Sequence, residues 1–207
     1  MQGAYQIFVT QKRDVAMLLA GLPSKVSDLL IEDHVSFICR AFQRRLRSIP
    51  DADIRDAILT TIEQNGKTID EDALENAVAA SQGFPYAMQL VGFGAWKYAG
   101  DSICITSEHM ERGISRSAQE MEHSVILPTL RECSPREVEY LITMATQDAP
   151  CVTSEIARKM GISMTNASNI RRRLIDRGII IDLKMGLVDY DMPIIKTYLR
   201  DHPAEWL

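Results

Sequence analysis

The chain has 207 residues, of which 46% are hydrophobic and 25% are charged, and its formal net charge is −5. This composition is that of an ordinary globular protein of one or two domains, and an acidic whole does not indicate a nucleic-acid or membrane partner. No stretch approaches the roughly 18 apolar residues of a membrane-spanning helix, so we expect no membrane association.

The cysteines also exclude several classes of site. Cys39, Cys104, Cys133 and Cys151 are far apart, form no C-x-x-C pair and do not pair with the four histidines. We therefore expect neither a metal site nor a redox motif. Scattered cysteines in a chain with a sizeable core are typical of reduced thiols, which favours a cytoplasmic protein.

Two short apolar runs at the N-terminus predict strands. Val15–Ala20 suits a strand buried on both faces of a parallel sheet, and Tyr5–Val9 is a second candidate. One or two strands cannot build a parallel sheet. Residues 1–32 therefore have the pattern expected for the tail end of a larger α/β domain.

Residues 33–130 read mainly as helices with ordinary start and stop signals. The segment Phe42–Ile49 fits a helix or a strand equally well. Four helices are predicted after it, which begin at Asp51 or Asp53, at Asp70, at Pro85 and after Thr106.

The tripeptide Gly66-Lys67-Thr68 matches the end of a phosphate-binding loop. The full motif needs a glycine five residues before Gly66, where Thr61 stands, and a strand before the loop, where a helix is predicted. We interpret the tripeptide as a connection between two helices.

A capping box at Ser134, with Pro135 and Glu137, predicts the start of a new domain over residues 134–207. Three helices follow, over residues 134–149, 154–160 and 163–177, and then a hairpin that turns at Gly186. Ile156, Ala157, Gly161 and Ser163 fit the pattern I-A-x-x-x-G-x-S of winged helix-turn-helix domains.

The third of these helices carries a local charge of +3, from four arginines and one aspartate between residues 163 and 177. At about 100° per residue, Ala167, Ile170 and Leu174 share its core face. The opposite face, flanked by two further arginines, is predicted to enter the major groove of double-stranded DNA. Base readout is assigned to Thr165, Ser168, Asn169 and Arg172. Phosphate contacts are assigned to Arg171, Arg173 and the hairpin residue Lys184.

The opposing interpretation is a module that docks a protein partner. Residues 134–207 carry ten basic and ten acidic side chains. Asp182, Asp189 and Asp191 place negative charge in or beside the hairpin, where it would repel phosphates.

Taken together, the stretches LLAGLPSKVSDLL, FICRAFQRRLRSIPDADIRDAI and TIDEDALENAVAASQGFPYAMQLVGFGAWKYAG, followed by the winged-helix pattern, resemble a known family. They are similar to the C-terminal part of bacterial AAA+/STAND-type ATPases of the archaeal-ATPase and origin-recognition-like groups. The resemblance implies a mainly α fold. Residues 1–32 would be a remnant of the ATPase core, 33–130 a helical lid and 134–207 the winged helix.

By the same resemblance, Arg40, Gly83 and Pro85 are associated with nucleotide. Alternatively, Gly83 and Pro85 only end one helix and start the next, with Tyr86 and Trp96 in the core. The Walker motifs would precede Met1, so ATP and magnesium are expected only with a P-loop core upstream, and no catalytic residue is predicted. Three functions are therefore possible from the sequence: a DNA-binding region, a protein-docking module, or part of an NTPase completed by another chain. The oligomeric state is left open.

Overall fold

The computed structural model describes residues 48–206, together with residues 7, 8, 10–14, 16 and 42 of the N-terminal part. The described part is mainly helical, as expected, and its strands are only two to five residues long. No described helix has the length and apolar character needed to cross a membrane.

The strand predicted over Tyr5–Val9 is wrong, because Ile7, Phe8 and Thr10 are helical. The amide of Gln11 donates to the carbonyl of Ile7 at 2.9 Å. This local bond satisfies backbone groups that a lone strand would leave unpaired. Arg40, most of the predicted strand Val15–Ala20 (residues 15 and 17–20) and residues 43–47 of the segment Phe42–Ile49 lie outside the described residues.

Residues 48–121 form four helices and one pair of two-residue strands. In chain order the elements are α1 (Asp51–Gln64), β1 (Thr68–Ile69), α2 (Glu71–Ser81), α3 (Pro85–Ala99), β2 (Cys104–Ile105) and α4 (Ser107–Met121). The two strands are parallel. The helices bury one apolar face each, such as Ile54, Ile58 and Ile62 of α1, in a first hydrophobic cluster.

The predicted helix starts near Asp70, Pro85 and Thr106 are confirmed, whereas the N-cap predicted for α1 is wrong. Pro50 occupies the N-cap, so Asp51 and Asp53 both lie in the first helical turn. Their carboxylates still favour the helix there, because its N-terminus carries partial positive charge.

Two glycines let α3 and α4 pack closely. A Cβ atom added at Gly94 would lie 2.9 Å from the Cα of Gly113, and one added at Gly113 would lie 2.5 Å from the backbone nitrogen of Ala95. No side chain fits at these separations, so the backbones approach at a distance that only glycine allows.

A π-helical turn (Glu122–Ile126) joins α4 to α5 (Leu127–Arg131) without a break in the helix. The amide of Leu127 donates to the carbonyl of Glu122, five residues earlier. Pro128 lacks an amide hydrogen, and its ring would crowd the carbonyl of Ser124 in a regular α-helix. The wider turn relieves this crowding and lets the chain continue towards residue 131.

Residues 135–205 form four α-helices, three short strands and a final 3₁₀ turn. In chain order they are α6 (Pro135–Ala145), β3 (Cys151–Val152), α7 (Thr153–Met160), α8 (Met164–Asp176), β4 (Ile180–Lys184), β5 (Leu187–Tyr190), α9 (Pro193–Asp201) and the 3₁₀ turn (Pro203–Glu205). The strands make an antiparallel sheet in the order β3-β5-β4, and β4 and β5 form the predicted hairpin.

The capping box predicted at Ser134 is confirmed, because Ser134 Oγ accepts from the amide of Glu137 while the Glu137 carboxylate accepts from the amide of Ser134. Helix α6 ends at Ala145, four residues before the predicted end at Ala149. Pro150 disfavours helical geometry at the residue before it, which opposes extension of the helix to Ala149.

The second hydrophobic cluster extends upstream of residue 134. It joins α6–α9 and the hairpin to Met121, Ile126 and Leu130, of which Leu130 is fully buried, and to Ala87 of α3. The side chains that stabilise the C-terminal unit therefore include residues from 121 onwards and a contact with α3.

Candidate nucleic-acid interface

The start of α8 is fixed by local backbone geometry. Gly161 ends α7 with a φ of +64°, a conformation that favours glycine. Two residues later, Ser163 Oγ accepts from the amide of Asn166 at 3.2 Å, which confirms the predicted N-cap. The turn thus sets the direction in which α8 leaves α7.

The two faces of α8 are divided as the sequence predicted. Ala167, Ile170 and Leu174 are buried in the second cluster. The opposite face, which we call the α8 outer face, is exposed and consists of Thr165, Ser168, Asn169 and Arg172. It offers two hydroxyls, one amide and one guanidinium group to whatever approaches the helix.

Arg172 is the least neutralised of the three consecutive arginines. Its side chain is 84% exposed, and the nearest carboxylate oxygen, on Asp176, lies 3.9 Å from its Nε. An exposed pair at this distance contributes little, so the guanidinium remains available to a ligand.

Arg173 contacts a buried carboxylate. Its Nε donates to Glu137 Oε1 at 2.8 Å, and Glu137 is only 5% exposed. The other oxygen of Glu137 accepts from the amide and hydroxyl of Ser134 at 2.8 and 2.9 Å. Burial alone would raise the pKa of Glu137, but the hydrogen bonds from Ser134 and Arg173 outweigh it and lower that pKa. The carboxylate therefore connects the start of α6 to α8 through its hydrogen bonds to Ser134 and Arg173.

Arg177 extends this ion-pair network at the end of α8. One of its terminal nitrogens lies 3.6 Å from Glu137 Oε2, and the other donates to Glu132 at 3.4 Å. It also lies 3.6 Å from the sulfur of Cys133. Burial raises the pKa of Cys133 to about 11 despite this neighbour, so the thiol stays protonated at neutral pH.

Arg171 contacts the hairpin rather than solvent. Its terminal nitrogen lies 2.5 Å from Asp182 of β4, and its side chain is 21% exposed. Its Nε is buried and has no hydrogen-bond partner among the residues that the structure describes. Arg171 and Arg173, both assigned to phosphates from the sequence, are thus engaged in ion pairs. Their phosphate contacts remain a prediction, which would require each to exchange or share a carboxylate partner.

The hairpin tip exposes one cation and two apolar side chains. Lys184 is exposed, as its assigned role needs, and it is flanked by the exposed side chains of Leu183 and Met185. The turn is fixed to the start of α7, because the carbonyl of Gly186 accepts from the amide of Thr153 at 2.9 Å and from its hydroxyl at 3.1 Å.

Charge is distributed unequally between the two parts of the molecule. Residues 48–133 hold six lysines and arginines against fourteen aspartates and glutamates, a net −8. Residues 134–206 hold ten of each and are neutral. An anionic ligand therefore meets less repulsion at α8 than at the helices α1–α4.

Gly83 and Pro85 occupy positions at a helix boundary. Gly83, with a φ of +74°, follows the end of α2, and Pro85 is the first residue of α3. The carbonyl of Gly83 accepts from the amide of Ile49 at 2.8 Å, and a Cβ there would lie 2.8 Å from the Cβ of Ser48. These contacts explain both residues structurally, and their association with nucleotide remains a prediction. Of the two aromatics, Trp96 packs against the first cluster and Tyr86 is exposed.

Gly66 and Lys67 lie in the connection between α1 and β1, Thr68 begins β1, and the element before the connection is a helix. Gly66 has a φ of +82°, and Lys67 Nζ donates to the carbonyl of Gly100 at 2.6 Å and lies 5.0 Å from the ring centre of Trp96. The lysine is therefore engaged in the contact between this connection and the end of α3. This agrees with the interpretation as a connection.

Sequence reasoning missed Glu137 and Asp182 as partners of the arginines. The capping box identified Glu137 as one half of a local motif, but its second partner is 36 residues away. Asp182 was recognised as a charge that would repel phosphates, and no local pattern indicates that Arg171 pairs with it.

A family model described as a domain of unknown function, DUF8462, matches residues 123–199. The match begins in the π-helical turn and ends in α9, so it covers most of the second hydrophobic cluster, including Ile126 and Leu130. No curated protein is significantly similar to the chain.

Proposed function

We propose that this chain binds double-stranded DNA through the α8 outer face of a winged helix-turn-helix domain. In this interpretation α6, α7 and α8 are the three helices, and the β4–β5 hairpin is the wing. Such a domain inserts its third helix into the major groove, where the first residues of that helix reach base edges.

The observation that carries the proposal is the composition of the α8 outer face. A solvated helix surface needs no particular polar groups, whereas this one places Thr165, Ser168, Asn169 and Arg172 side by side. Asparagine can bind adenine and arginine can bind guanine through two hydrogen bonds each, and threonine and serine can bond several bases. The buried opposite face of the helix keeps these groups directed outwards.

The cations near this face determine the expected strength of binding. With Arg171 and Arg173 ion-paired, Arg172 and Lys184 are the main candidates for DNA contacts. Arg158 and Lys159 of α7 are also exposed. Each phosphate contact lowers the slope of log K against log salt by about 0.9. Two to four contacts thus give a slope of about −2 to −4, which describes a modest and salt-sensitive interaction.

The family resemblance suggests the context in which this domain acts. Residues 33–130 would be the helical lid of an AAA+/STAND-type ATP-binding protein, and residues 1–32 a remnant of its core. ATP and magnesium would bind only in the presence of a P-loop core. A DNA-binding role agrees with the proposed cytoplasmic location.

Titration of fluorescently labelled duplexes at two salt concentrations tests the proposal. Arg172→Ala should weaken binding by about 1–3 kcal/mol if the side chain contacts a base, while the fold is unchanged. Arg136→Ala is the matched control, because Arg136 is an exposed arginine of α6 that is paired with Glu139 and is not part of the α8 outer face. The proposal fails if the unmodified chain binds no duplex with salt-dependent affinity, or if both variants weaken binding equally.

A second function, docking of a protein partner, is favoured by the hairpin tip. Leu183 and Met185 are exposed apolar side chains that contribute nothing to phosphate binding. Hydrophobic side chains at a protruding tip are typical of protein contacts. Replacement of both by serine would abolish such docking, whereas the contacts of Arg172 with DNA would be unaffected.

A further inference from the structure

A two-stranded hairpin has little stability of its own in water, so its position depends on its anchors. At the base, Ile180, Val188 and Tyr190 are buried in the second cluster. Beyond the base, β5 pairs with β3, where Leu187 lies opposite Val152, and two further polar anchors are present among the described residues. One is the Arg171–Asp182 ion pair to α8, and the other is the pair of hydrogen bonds from Thr153 to the carbonyl of Gly186.

The Arg171 side chain is suited to hold the hairpin and poorly suited to contact DNA. It is mostly buried, and in the described part of the chain its Nε has no hydrogen-bond partner. A guanidinium in this position would have to leave Asp182 before it could reach a phosphate. The exposed Arg172, by contrast, reaches solvent without breaking a close contact.

We infer that Arg171 is a positioning residue, which acts through Asp182 to fix the β4–β5 hairpin beside α8. The pair holds Lys184, two residues beyond Asp182, at a set place next to the α8 outer face. This role rests on the proposed function, in which the hairpin and α8 approach the same duplex. It replaces the direct phosphate contact that the sequence predicted for Arg171.

The two possible roles of Arg171 predict opposite effects of Asp182→Asn on the affinity for DNA. If Arg171 were a phosphate ligand partly masked by Asp182, Asp182→Asn would release it and strengthen DNA binding. If the pair positions the hairpin, Asp182→Asn loosens it and weakens binding. Asp176→Asn removes the same charge from the neighbourhood of Arg172 on α8 itself, and it should strengthen binding in either case.

The experiment compares the unmodified chain, Asp182→Asn and Asp176→Asn by titration of one duplex at low salt. We expect affinity to fall about two- to fivefold for Asp182→Asn, the range for partly exposed ion pairs, and to rise for Asp176→Asn. Lys184→Ala should cost less affinity in the Asp182→Asn background than alone, because its position is then no longer fixed. A rise in affinity for both aspartate variants would overturn the inference.

Hydrogen exchange of the free chain provides a readout that does not involve DNA. Amides of residues 180–190 should exchange faster in Asp182→Asn and remain unchanged in Asp176→Asn. Unchanged exchange in both variants would overturn the inference whatever the DNA result. If the unmodified chain binds no duplex but Asp182→Asn exchanges faster, the proposed function fails while the anchoring of the hairpin is confirmed.

Discussion

The substitution Glu137→Gln tests whether the arginines of α8 stabilise the fold. The carboxylate is buried and accepts hydrogen bonds from Arg173 and from the amide and hydroxyl of Ser134. Glutamine keeps one acceptor oxygen but loses the charge, and hydrogen bonds to charged groups contribute about 1.5–3 kcal/mol against about 0.5–1.5 kcal/mol for neutral ones. Arg173 is 54% exposed and can regain water, so the cost stays below that of breaking a fully buried pair.

We therefore expect Glu137→Gln to lower the free energy of unfolding by about 1–3 kcal/mol at pH 7, measured by urea denaturation. The effect should depend on pH in one direction. The pKa of Glu137 is lower in the folded than in the unfolded chain, so its stabilisation is present above the ordinary glutamate pKa. That stabilisation is lost as the pH falls through the folded-state pKa. The difference in free energy of unfolding between the unmodified chain and Glu137→Gln should therefore decrease in acid.

Glu139→Gln is the control for this experiment. Glu139 lies on the same helix and pairs with Arg136 at 2.7 Å on the surface, so its replacement should cost no more than about 0.5 kcal/mol. The role assigned to Glu137 would be refuted if both substitutions lowered the free energy of unfolding equally. It would also be refuted if the effect of Glu137→Gln did not decrease in acid.

Two further predictions concern packing. Gly113→Ala should lower the free energy of unfolding by about 1–3 kcal/mol, because its Cβ would clash with the backbone of α3. Gly92→Ala on α3 meets open space and should raise the free energy of unfolding by about 0.5–1 kcal/mol. Thermal unfolding should therefore show a lower melting temperature for the first variant and a higher one for the second, and equal changes would contradict the close packing of α3 and α4. A fragment of residues 121–207 should fold, and a fragment of residues 134–207 should be much less stable, because Leu130 is fully buried in the second cluster. Thermal unfolding followed by circular dichroism compares the two fragments. Equal stability would show that the contacts upstream of residue 134 are unimportant.

Features encoded in short stretches of sequence could be predicted. The capping box at Ser134, the N-cap at Ser163 and the two faces of α8 depend on residues within a few positions of one another. Helix periodicity and capping preferences express these local interactions directly. The mainly helical fold and the position of the α8 outer face followed from them.

Features that depend on distant residues could not be predicted. Arg173 meets Glu137 and Arg171 meets Asp182 only after α6, α8 and the hairpin have packed. All three consecutive arginines were thus assigned to DNA contacts, although Arg171 and Arg173 form ion pairs with carboxylates. The strand expected at Tyr5–Val9 failed for a related reason, because a strand needs a partner that the local pattern does not specify.

The central claim is that the α8 outer face contacts duplex DNA, and it is tested most directly by NMR of the isotope-labelled full chain during addition of a duplex at low salt. We expect amide shifts to change over residues 163–173 and 183–186, Arg172→Ala to reduce these changes, and the shifts of α1 and α2 to stay the same. Shift changes confined to residues 51–121, or none at any duplex concentration, would contradict it.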